Sequence, residues 1–207
     1  MARKTLKQIK ETRRQLVDAA RLCFLEHTVA LTSLEQIAQT AGVTRGTIYS
    51  QFPNGKTELL EAVCDDLNNK IQQWLIRPVD TSISGVANLE QFIQKWLETI
   101  YERGWMHQKL EIGFQALASG SDLHKHRKDN FMDLVCCVEE ILAYGQQKKE
   151  INPQFIASDL AFQLVSIFTG LIVMWHHSDW DKERVAQGEK ALKAWLKQVT
   201  DNKWSKK

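Results

Sequence analysis

Ten glycines and three prolines in 207 residues are roughly half of average usage, and that scarcity decides the fold class. Sandwiches and barrels reverse the chain often and need these turn formers. A chain so poor in them travels in long helices joined by few loops. It is 43% hydrophobic and 25% charged, enough to bury a core in one large domain or two smaller ones. The N-terminus runs into Glu11, Arg13 and Arg14 rather than an apolar stretch, so no secretory signal is expected. Leu160 to Trp175, the longest apolar run, has 16 residues interrupted by Gln163, Ser166 and Thr169. A bilayer span wants about 20, so this run is expected to be a buried helix. Four cysteines, with Cys136 and Cys137 adjacent, do not form a disulfide scaffold and suit the reduced thiols of a cytoplasm.

The overall charge of +2 hides an asymmetry. Residues 1–57 carry nine Lys and Arg against four Asp and Glu, a net +5, which leaves −3 on the remainder. A basic head on a mildly acidic body points to an anionic partner for the head alone.

Helical spacing of apolar residues organises the chain. Leu16, Val17, Ala20, Cys23 and Phe24 stripe a first helix over about 10–26. Ser33, with Gln36 three residues later, forms a capping box that starts a second helix. Gly42 ends that helix, and Thr44 caps a short third one. Pro53-Asn54-Gly55 marks a turn, and a fourth helix runs from Lys56 to about Trp74. A loop over 77–88 leads to helices near 89–103, 107–118 and 122–148. Asn152 and Pro153 read as an N-cap and first-turn pair opening a helix over 153–176. A last amphipathic helix spans about 181–199, giving an all-α chain of about nine helices with no convincing strand.

Residues 34–52 meet the physical demands of a helix-turn-helix. Ala38 is small where two crossing helices approach, Gly42 supplies a turn with positive φ, and Ile48 packs the second helix against the first, with Ile37 and Val43 in the same seam. The run Thr32-Ser33-Leu34-Glu35-Gln36-Ile37-Ala38-Gln39-Thr40-Ala41-Gly42-Val43-Thr44-Arg45-Gly46-Thr47-Ile48-Tyr49-Ser50-Gln51-Phe52, extended by Lys56, Leu59 and Leu60, resembles the DNA-binding core of tetracycline-repressor-type (TetR family) regulators. The resemblance covers about the first third of the chain. Gln51 stands where many members have His or Tyr, and Lys56 follows one residue later than in the commoner spacing.

The resemblance implies an N-terminal three-helix DNA-binding domain over 1–55 and a helical ligand-binding and dimerisation domain over 56–207. It also implies that the third helix enters the major groove, and the residue chemistry agrees. Arg45 would fork onto guanine, and Thr47 and Ser50 are short enough to touch a base or a thymine methyl. Gly46 would let the backbone approach closely. Tyr49, Thr44, Ser33 and Gln51 would contact phosphates, and Lys56 would add charge at the start of the fourth helix. Arg3, Lys4 and Lys7 would form an arm along the backbone or minor groove. The plainer reading of these side chains is packing for Tyr49, capping for Thr44 and Ser33, and solubility for the arm. Gly55-Lys56-Thr57 is no P-loop, because Ser50 stands where its first glycine belongs.

In the remainder, Trp96, Trp105, Phe114, Phe131 and Cys136 are candidates for lining a small-effector cavity, with plain core packing as the alternative for each. Glu98 is one of several acids that would suit a cationic ligand if buried among aromatics. The helix over 153–176 is apolar almost all round except at Asp159, Gln163, Ser166 and Gly170. Such a helix needs burial on most sides, so Gln163, Ser166 and Gly170, with Trp195 of the last helix, are expected at a homodimer seam. A two-fold dimer would require a near-palindromic operator with half-sites about 34–36 Å apart or a multiple of that. His124, His126, His176 and His177 diverge on their helices and complete no metal set, and no cofactor is expected. The reading is a non-enzymatic repressor that a small molecule releases from double-stranded DNA. The alternatives are an all-helical enzyme, for which no nucleophile–base pair is evident, and a regulator that binds DNA constitutively.

Overall fold

The computed structural model describes residues 5–101, 104–118 and 124–200, and their side chains except those of 116–118 and 124–131. Among the described residues there are nine helices and no strand: α1 (Leu6–Leu31), α2 (Leu34–Thr40), α3 (Arg45–Gln51), α4 (Lys56–Leu75), α5 (Gly85–Tyr101), α6 (Trp105–Ala118), α7 (His124–Gln147), α8 (Ala157–His177) and α9 (Lys182–Thr200). They form two compact units. The first comprises Met1–Lys70 and Gln108–Arg127, the second Ile71–His107 and Lys128–Lys207.

In the first unit, Thr5 opens α1 with a capping box shared with Gln8. The buried stripe Leu16, Val17, Ala20, Cys23 and Phe24 is the one expected from the spacing. The helix outruns the expected end at Glu26 and reaches Leu31, but it breaks at Thr28, whose φ of 65° and ψ of 157° are not helical. A β-branched residue there is strained, and its neighbours hold it. Gln115 of α6 accepts the Val29 N–H at 2.8 Å, and the Thr32 hydroxyl donates to the Thr28 carbonyl at 2.6 Å.

Short helices need firm ends, and α2 and α3 have them. The Ser33 hydroxyl accepts from the Gln36 N–H at 3.2 Å, while Gln36 Oε1 accepts the Ser33 N–H at 2.7 Å. Gly42 lies at φ 65°, and Val43 donates back to the Ala38 carbonyl at 2.9 Å. Ile37, Ala38, Ile48 and Phe52 are buried beneath this turn. The Arg13 guanidinium lies 4.0 Å over the Phe52 ring and donates to the Gln51 carbonyl at 2.6 Å, which ties the end of α3 to α1.

In the second unit, Trp96 stacks on Phe168 with ring centroids 3.9 Å apart and lies 6.0 Å from Trp175. All three are almost fully buried. Gly188 makes room for Trp175, since a Cβ there would come within 2.6 Å of the indole. The helix starts at Gly85, before the expected position: the Ser84 hydroxyl accepts the Ala87 N–H at 2.9 Å, and Glu150, far along the chain, accepts the Gly85 N–H at 2.6 Å.

Asn152 and Pro153 do not open α8, which begins at Ala157 after Ile156 and has no side-chain cap. The Asn152 side chain accepts the Gln154 N–H at 2.9 Å and builds a turn, the other common use of Asn before Pro.

By length and composition α8 is the one helix, among the described residues, apolar enough to cross a membrane. Seven of its 21 residues are buried within the second unit. Its other face carries exposed Phe162, Gln163, Ser166, Gly170 and Met174.

Candidate DNA-binding surface

Helix α3 is seven residues long, and its single buried residue is Ile48. The rest of its surface is therefore offered outward. Arg45, Gly46, Tyr49 and Ser50 are exposed, while Thr47 and Gln51 are half-buried. Thr44 caps the helix, accepting the Thr47 N–H at 3.3 Å, and the two hydroxyls lie 3.0 Å apart. The Ser50 hydroxyl donates to the Thr47 carbonyl at 2.8 Å. Nothing crowds Gly46: an added Cβ would meet only Thr44 Oγ1, at 3.8 Å. Backbone can thus approach a partner closely at this point.

Arg45 is held by its own fold. Its Nη1 pairs with Glu35 in the first turn of α2, and its Nη2 donates to the Tyr49 hydroxyl at 3.2 Å. The guanidinium also lies 5.6 Å over the Tyr49 ring. The Tyr49 hydroxyl first, then the Glu35 charge, raise its pKa above the ordinary guanidinium value. Its side chain nonetheless remains 54% exposed, so the cation is both aimed and reachable. Glu35 is a residue that the sequence reading missed. The signal was present as an acid in the first turn of α2 facing a base in the first turn of α3.

Lys56 is engaged elsewhere. Its Nζ donates to the carbonyls of Val29, Ala30 and Thr32 at 3.0, 3.3 and 3.1 Å, satisfying the free carbonyls at the end of α1. Ser33 commits its hydroxyl to the α2 cap. Lys7, on the first turn of α1, is exposed, whereas Arg3 and Lys4 lie outside the described residues.

The candidate cavity residues fall in different surroundings. Trp96 is sealed in the core of the second unit, while Phe114 is 41% exposed and belongs to the first. Cys136 is exposed and Trp105 half-buried, and the Phe131 side chain lies outside those described. At the expected seam, Gln163, Ser166 and Gly170 share the exposed face of α8, but Trp195 does not join them. It turns inward with Leu192 and Val199, in the i, i+3, i+7 spacing of a core stripe. Among the described residues no group of three His, Cys, Asp or Glu is placed to hold a metal ion. The side chains of His124 and His126 lie outside that set.

A capped seven-residue helix, crossed by a second through a glycine turn and presenting arginine, threonine, tyrosine and serine outward, defines a helix-turn-helix DNA-binding module. Residues 16–63 match the family model described as "Bacterial regulatory proteins, tetR family". This head is thus similar to the DNA-binding region of tetR-family regulators. It is 47% identical over 68 residues to the HTH-type transcriptional regulator TtgR of Pseudomonas putida, a match covering 33% of this chain and 32% of that protein. The chain thus spans about a third of that relative's length. A longer match, 29% identical over 203 residues, covers 84% of this chain and 80% of the probable acrEF/envCD operon repressor of Escherichia coli (strain K12). The whole fold resembles that of SmeT solved with triclosan, with a TM-score of 0.75 at 24% identity over 92% of each chain.

Proposed function

We propose that the chain is a homodimeric transcriptional repressor that reads a near-palindromic operator with α3 and leaves it when a small molecule binds the helical body. The observation that carries this reading is the outward face of α3, with Arg45 aimed by Glu35 and Tyr49 above a fully buried Ile48. Arg45 forks onto a guanine edge, Thr47 and Ser50 lie along the neighbouring bases, and Tyr49 and Thr44 meet phosphates. Apolar Phe162 and Met174, 57% and 65% exposed on α8, support a two-fold seam through that helix. The protein acts in the cytoplasm, where its DNA lies. The E. coli relative's name is that of an operon repressor. SmeT is described as the repressor of a multidrug efflux pump of Stenotrophomonas maltophilia. By analogy the regulated genes are a transport operon and the effectors are among its cargo. The test is titration of the purified protein with DNA from upstream of its own gene. A saturable complex of one dimer per site, resistant to unrelated competitor DNA, is expected. Binding that competitor DNA removes as readily as specific DNA contradicts it.

A further inference from the structure

Helices α5 and α9 face each other across a groove of about 400 Å³, within the size range of small-molecule sites. Its floor is apolar: Ile93 and Leu97 from α5, Leu192 and Leu196 from α9. Its rim is acidic. Glu90, Glu98 and Glu189 line it against a single cation, Lys193. Among the described residues, neither Glu90 nor Glu98 has an ion-pair partner within 4 Å. At one end the Tyr101 hydroxyl donates to Glu189 Oε1 at 3.1 Å, and Glu98 stands one turn before Tyr101 on the same face. Two carboxylates and a phenol ring therefore lie beside an apolar trough. Burial first, then the Glu189 charge, push the phenol pKa well above its ordinary value, so this end keeps its hydroxyl proton and gains no third negative charge.

The groove is distinct from the face expected to pair with a second copy. On α9 the buried stripe is Gly188, Leu192, Trp195 and Val199. Glu189, Lys193 and Leu196 flank it on the groove side, and the small exposed Ala191 and Ala194 flank it on the other. Dimerisation through α8 and that second flank leaves the groove open.

We propose that this groove binds amphiphilic organic cations, with the apolar body on the Leu97–Leu196 floor and an ammonium head group against Glu98, Glu189 and the Tyr101 ring. A cation between carboxylates and an aromatic face gains from both, and the leucine floor supplies the area-dependent part of the affinity. Binding stands on the groove alone, and only its consequence for DNA rests on the effector-released reading above.

The probe is phenylhexyl-trimethylammonium, titrated into the full-length protein by calorimetry beside its uncharged tert-butyl isostere and phenylhexyl-sulfonate. One saturable site per chain is expected for the cation. The isostere should bind about tenfold more weakly, the order of one charge contact, and the sulfonate should show no saturable binding. Glu98→Gln and Glu189→Gln should each weaken the cation several-fold. Gln94→Trp, at an exposed rim position, should abolish binding by filling the trough while the helical circular dichroism stays unchanged. No saturable binding of the cation to the unaltered protein overturns the proposal. So does equal binding of all three compounds, or an affinity that Gln94→Trp leaves untouched in a folded protein. Operator titration of the same variants without the cation reports on DNA recognition separately, so failure of one reading does not disguise failure of the other.

Discussion

Glu35 and Arg45 stand on different helices and meet only because Gly42 folds α3 back across α2. Their pairing, with the Tyr49 hydroxyl on the second Nη, restricts the guanidinium before any DNA arrives. If Arg45 meets DNA as proposed, the duplex competes with the carboxylate for the same cation. Glu35→Ala is therefore expected to tighten binding to any duplex by about two- to fivefold at low salt, the strength of an exposed ion pair, with the gain fading as salt rises. Fluorescence anisotropy at several ionic strengths measures this, and an unchanged affinity would show that Glu35 does not compete. Lys56 behaves oppositely. From the sequence it reads as a phosphate ligand, yet its three donors are taken by the carbonyls of residues 29, 30 and 32. Lys56→Met is expected to cost ~1–3 kcal/mol of stability, as loss of charged hydrogen bonds does. Urea unfolding measures that cost. A variant of unchanged stability but weakened binding to all DNA would restore the phosphate role.

At the level of elements, what is legible in the sequence is local. Ser33 and Gln36, Gly42 and Thr44 lie within a dozen residues and fix α2 and α3 through bonds spanning two to five positions. Ends that local pattern misplaces also draw on partners far along the chain. Glu150 caps α5 across 65 positions, and Gln115 holds the break at Thr28 from 86 positions away. Asn152-Pro153 is ambiguous in kind, because the same pair builds a helix start or a turn. Likewise the groove between α5 and α9 has no sequence signature, since its two faces belong to helices about a hundred residues apart. Glycine positions on these elements separate close packing from open surface. Gly188→Ala forces a methyl into Trp175 and is expected to destabilise by ~1–3 kcal/mol, as overpacking does. At Gly170 an added Cβ meets nothing within 4 Å in the chain, so Gly170→Ala should not destabilise the isolated chain, and helix propensity favours it by ~1 kcal/mol. Thermal unfolding of the two variants in parallel checks the contrast. Equal loss of stability at both positions would contradict the placement of α8 and α9.

For the whole molecule, the nearly neutral charge of +2 is the sum of a basic head and an acidic remainder, and the division has a use. On the proposed reading the head would gather at the phosphates while the rest is kept off them. In the proposed dimer, two such heads on one two-fold axis would turn a weak reader of a few base pairs into a specific one, which would make the exposed face of α8 as important as α3. Replacing Phe162 and Met174 by Glu together is expected to yield monomers by analytical ultracentrifugation and to remove most operator affinity. Retained dimers would place the seam elsewhere.

The central claim is that Arg45 on α3 reads a base. Its most direct test is competition between the operator and a set of single-base variants for the unaltered protein and for Arg45→Ala. The account predicts that the protein discriminates strongly at one guanine per half-site, and that Arg45→Ala loses about ten- to hundredfold of that discrimination while keeping its affinity for the variant carrying the wrong base. A variant protein that weakens on every sequence alike, with the preference for guanine intact, would make Arg45 a phosphate contact and contradict the claim.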